Sequence, residues 1–91
     1  MPYIPKPRRR SILDDGDCPA NGGELNFVIT TVIDEYMKAH GISYTRIADV
    51  LSALEGAKQE FYRRVAAPYE DSKIIQNGDV YTCHATILPG R

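Results

Sequence analysis

Two carboxylates three residues apart on a helix share a face and could hold a magnesium ion, the arrangement nucleotide pyrophosphohydrolase chemistry needs. No glutamate of this chain has a carboxylate at that spacing. Three residues after Glu24, Glu35, Glu55, Glu60 and Glu70 stand Phe27, Lys38, Lys58, Arg63 and Lys73. Asp14 and Asp17 have the spacing but lie around Gly16, with no helical partner to complete a site. The other chemically able residues are as sparse. Cys18, His40, Cys83 and His84 lack zinc-ligand spacing. The acidic "DDGDCPANGGE" lacks the residue order of a calcium loop. Neither G-x-S-x-G nor a glycine-rich phosphate loop occurs. The expectation is a protein with no cofactor and no metal that is not an enzyme. A magnesium-dependent nucleotide hydrolase is the alternative.

What remains is binding chemistry, concentrated in "EFYRRVAAPYEDSKIIQNGDVY". Lys58, Tyr62 and Arg63 fall within two helical turns, and Tyr69 and Lys73 lie just beyond. Tyrosine supplies a flat face with a hydroxyl, and arginine a planar fork suited to phosphate or carboxylate. Together these residues suit an anionic, nucleotide-like ligand or a protein partner. The competing reading is structural: Glu60 pairs with Arg63 or Arg64, Arg64 with Glu70 or Asp71, and both tyrosines edge a core.

The elements that must position these residues are helices. Asn21 and Glu24 stand at capping-box spacing. Leu25, Val28, Ile29, Val32, Ile33, Tyr36 and Met37 then recur at steps of three and four. Lys38 and His40 suit the last turn, and Gly41 suits the left-handed position after it. Ser43 can cap a second helix, whose stripe is Ile47, Val50, Leu51, Leu54, Ala57, Phe61 and Val65. Ala53, Gly56 and Ala57 leave room for another helix to approach. The short "GIS" connection predicts an antiparallel hairpin of helices 23–40 and 43–67. Pro68 predicts a kink, after which "PYEDSKIIQNG" starts a short helix with an acidic first turn, and Gly78 ends it. A hairpin turning at Asn77-Gly78 is the alternative. Residues 82–91 read as an edge strand or an irregular tail.

The fold class expected is therefore all-α, in three parts: a flexible arm at 1–20, a helical domain at 21–78 and a tail at 79–91. Pro2, Pro5, Pro7 and Pro19 argue against a regular helix before residue 9, and Arg8-Arg9-Arg10 reads as a solvated run or a phosphate-binding arm. Eleven basic against twelve acidic residues give a net charge of −1, which makes nucleic acid an unlikely general partner. No apolar run is long enough to span a membrane, and the basic, proline-rich start has no secretory core. With two cysteines, the expectation is a cytoplasmic protein with reduced thiols.

The blocks "GELNFVIT" and "LEGAKQEFYRRVAAPYEDSKIIQNGDVY", with the opening "MPYI", resemble a family of short uncharacterised bacterial and phage proteins. The resemblance implies no activity. It does imply a first amphipathic helix where this chain offers only "SILDDGDCPA". A missing helix would expose part of the core, and the expectation is a homo-oligomer.

Overall fold

A computed structural model describes residues 1–83. The described chain is all helical: α1 (Lys6–Asp15), α2 (Gly22–His40), α3 (Tyr44–Phe61), a π-helical turn (Tyr62–Ala66) and α4 (Ala67–Asn77). It divides into two units, Met1–Leu51 and Ser52–Arg91. No helix among the described residues is long and apolar enough to cross a membrane. Of the suggested C-terminal strand, residues 84–91 lie outside the described residues.

The first unit corrects the reading of residues 1–20. Those residues hold a helix of ten residues, α1, rather than an irregular arm. The prolines do not prevent it, because Pro5 is the N-cap and Pro7 lies in the first turn, where a missing N–H costs nothing. Gly16 ends α1 at φ 73°, and the amides of Gly16 and Asp17 both donate to the Ser11 carbonyl. The chain thus has a first helix after all.

Arg8 ties α1 down. Its Nε donates to Glu24 Oε1 at 2.9 Å, its Nη1 to Asp17 Oδ2 at 3.0 Å and its Nη2 to the Cys18 carbonyl at 3.0 Å. Arg9 donates to the Ile4 carbonyl at 2.8 Å and stacks over the Phe27 ring at 5.8 Å. Arg8 and Arg9 are structural, then, and not a solvated run. Beneath them lie Ile12 and Phe27, the buried hydrophobic residues of the described chain.

Asn21 caps α2 as its spacing predicts, accepting from the Glu24 amide at 2.9 Å. The Glu24 carboxylate accepts from the Ala20 amide at 2.9 Å and from Arg8. The Ala20 bond foremost, and Arg8 after it, holds this carboxyl below the usual carboxylate range. A carboxyl depressed on folding stabilises fully above its unfolded pKa, and that stability is lost as pH falls through the folded value. The first unit should therefore lose stability on acidification below about pH 4.3, the unperturbed glutamate value. Glu24→Gln should flatten this dependence in thermal melts taken between pH 7 and pH 3. An acid loss of wild-type size in that variant would assign the effect to other carboxyls.

Ser43 caps α3 by accepting from the Arg46 amide at 3.2 Å. At the turn between α2 and α3, Tyr36 Oη donates to Asp49 Oδ2 and accepts from Arg46 Nη1, both at 3.0 Å. Tyr36, expected in the core, works as a polar clamp instead.

The expected core is corrected too. Leu25, Ile29, Val32, Ile47, Leu54, Phe61 and Val65 are all exposed, Val32 at 65% and Phe61 at 63%. Val28, Ile33 and Val50 are half-buried, and Ala57 is exposed. No residue of α3, the π turn or α4 is buried. The stripes are real, but a single chain leaves them uncovered. A Cβ placed on Gly56 would meet nothing within 4 Å, so nothing in its own chain explains a glycine there.

Candidate functional site

The backbone around Pro68 decides where the expected site residues go. Phe61, Ala66 and Ala67 all keep right-handed helical angles, so the helix runs on where a break was expected. In a regular α-helix the Pro68 ring would press on the Arg64 carbonyl, and Pro68 has no N–H to offer it. The chain widens one turn instead: the Ala67 amide bonds to the Tyr62 carbonyl, five residues back. α4 then runs to Asn77, and Gly78 ends it at φ 88°, so the turn-and-strand alternative at Asn77-Gly78 is not adopted.

The extra residue in that turn rotates α4 by about 100° relative to α3. In an unbroken α-helix Tyr62 and Tyr69 would stand nearly one above the other. With the π turn they are about 120° apart. The five expected residues accordingly separate into three groups. Lys58 and Tyr62 line an open concavity of about 430 Å³ with Glu55, Gln59, Phe61 and Ala66. That volume is in the range of ligand clefts, though all its lining comes from residues 55–66 of one helical stretch.

Arg63 is committed elsewhere: its Nη2 donates to both Glu60 oxygens, at 2.9 and 3.0 Å. Arg64 lies 3.8 Å from the same carboxylate, reaching back to Glu60 rather than on to Glu70 or Asp71. Here the structural reading of Glu60 holds. Tyr69 and Lys73 form a pair, with Lys73 Nζ 5.5 Å from the ring centroid and 3.4 Å from Gln76 Oε1. Tyr62 and Tyr69 are 55% and 62% exposed, not edges of a core.

Arg63→Ala removes an exposed ion pair, and its cost to folding should stay within about 0.5 kcal/mol. Urea denaturation of the variant beside wild type measures this. A loss above about 1 kcal/mol would mean that Arg63 holds more than Glu60.

Sequence reasoning missed the Arg8 hub, because its partners Asp17, Cys18 and Glu24 are gathered by α1, an element not anticipated. Among the described residues, no group of three or more His, Cys, Asp or Glu is placed to hold a metal ion.

The chain belongs to the DUF6899 family, described as a domain of unknown function, which matches residues 1–80. No curated protein and no solved structure matches it.

Proposed function

We propose that this DUF6899 chain is a non-enzymatic helical binding protein that works as a homo-oligomer. One observation carries the proposal: residues 52–77 are helical throughout, yet none is buried, while Leu54, Phe61, Tyr62, Val65, Tyr69 and Ile74 are 39–63% exposed. Isolated helices are marginal in water, and most helical stability comes from packing an apolar face. A second surface must therefore cover this one.

The binding surface of this reading is the concavity lined by Lys58 and Tyr62, and the Tyr69–Lys73 pair stands apart from it on the same chain. A cation beside a phenol ring suits an anionic, ring-bearing ligand such as a nucleotide, and Lys58 with Tyr62 offers that pair in the concavity. Sequestration of such a ligand, or of a protein partner in a phage setting, fits a surface that binds without catalytic groups.

Light scattering at micromolar concentration tests the assembly and should give at least twice the mass of the 10.2 kDa chain. A thermal-shift panel of nucleotides, run with and without magnesium, tests the ligand class. A monomeric mass would defeat the oligomeric reading, and magnesium-dependent turnover of any nucleotide would defeat the non-enzymatic one.

A further inference from the structure

A helix can pass Pro68 in two registers, and each presents a different charge to the concavity of residues 55–66. With the π turn the helix runs straight and one extra residue is absorbed. With a bend at the proline the α register continues without it. The two registers differ by a rotation of α4 of about 100°.

The row of side chains through the concavity is Glu55, Lys58, Tyr62 and Ala66, at steps of three and four. In the α register Tyr69 and Lys73 continue that row, and all six lie within about 80° around the axis. In the π register Glu70 and Ile74 take those two places. The row thus ends on a phenol and an ammonium in one register, and on a carboxylate and an apolar side chain in the other. An anion binds the two differently, which is what a ligand must do to move such an equilibrium.

Within one chain, nothing packed opposes the rotation. No residue of α3, the π turn or α4 is buried. Among the described residues, the side-chain bonds of α4 stay inside it. Ser72 Oγ donates to the Tyr69 carbonyl, and Lys73 Nζ to Gln76 Oε1. The pairs of Glu60 with Arg63 and Arg64 lie wholly before Pro68. α4 can turn as one piece, with Tyr69 and Lys73 still together.

We infer that the π turn at Pro68 is a register switch. An anionic, ring-bearing ligand seated on Lys58 and Tyr62 draws residues 67–77 into the α register, where Tyr69 and Lys73 join the same site. This deepens the ligand reading above and rests on it. In the free chain the α register is the minor one, because there the Pro68 ring presses on the Arg64 carbonyl.

ATP is the probe. Hydrogen-bond couplings in NMR spectra identify the carbonyl to which each amide is bonded. In free wild type the Ala67 amide should couple to the Tyr62 carbonyl, and with saturating ATP to the Arg63 carbonyl. Pro68→Ala removes the ring and restores an N–H, so its Ala67 amide should couple to Arg63 without ATP. With the minor register already populated, that variant should bind ATP at least about tenfold more tightly than wild type. Lys73→Gln should weaken ATP binding at least about tenfold, since the α register makes Lys73 a ligand-contacting cation. Circular dichroism checks that both variants keep their helix content.

ATP binding that leaves the Ala67 amide on Tyr62 overturns the switch, although the ligand reading stands. Wild-type affinity in Lys73→Gln, or in a Pro68→Ala chain shown to hold the α register, overturns it equally. If neither wild type nor Pro68→Ala binds ATP or any nucleotide of the panel, the switch falls together with the ligand reading beneath it.

Discussion

Replacing Phe27 by alanine is expected to unfold the first unit. Phe27 is 8% exposed, and Ile12 on α1 is its buried counterpart. The Arg9 guanidinium caps the ring from above, so truncation removes the packing and a cation–π contact together. Truncating a buried phenylalanine costs about 3–5 kcal/mol. Small domains are stable by only about 5 kcal/mol or little more. The measurement is urea denaturation followed by circular dichroism, with amide exchange to locate the loss. Protection should vanish in α1 and in the first turns of α2, because Arg8 and Glu24 alone cannot hold α1 without a core beneath them. A cost below about 1 kcal/mol would show that α1 is held by its polar contacts and that Phe27 is incidental.

Phe27 also shows where the sequence could and could not be read. The local signals were legible: Asn21, Ser43, Gly41 and Gly78 all begin or end helices as their types and spacing imply. Each depends on a few neighbouring residues and on dihedral preferences that hold in any context. The all-α class follows from them. What periodicity could not supply was which face is used. The stripe Leu25, Val28, Ile29, Val32 marks the most apolar face of α2, yet Phe27 lies about 200° round the helix from Leu25. α1 docks on the Phe27 side, and Leu25 and Val32 stay 51% and 65% exposed. Finding that face required knowing that residues 6–15 form a helix, which the prolines concealed.

The site was legible as a set of residues but not as a place. Spacing alone groups Lys58, Tyr62, Arg63, Tyr69 and Lys73 only if the helix kinks at Pro68. A proline has two ways through a helix, a break or a wider turn, and the two place Tyr69 on different sides. No residue type in "RRVAAPYE" chooses between them. Arg63 leaves the group for a simpler reason: its i−3 neighbour Glu60 is a nearer carboxylate than any ligand.

Phe61 carries the last prediction, because its exposure separates folding from assembly. A buried ring there would cost about 3–5 kcal/mol on truncation. At 63% exposure in the single chain, Phe61→Ala should instead change the dilute monomer by no more than about 0.5 kcal/mol. In the homo-oligomer proposed above, a second copy covers this apolar face, and Phe61 is among its most exposed large side chains. Truncating a central aromatic anchor costs about 2 kcal/mol or more, and the symmetry applies it twice. The expected result is a loss of about 4 kcal/mol in association, close to a thousandfold in Kd. Sedimentation equilibrium on Phe61→Ala and wild type gives that ratio, and helix content at concentrations below dissociation gives the folding term. Two outcomes would count against the assignment. An unchanged Kd would remove this face from the interface, and a large loss of helix in the dilute variant would return Phe61 to an intramolecular core.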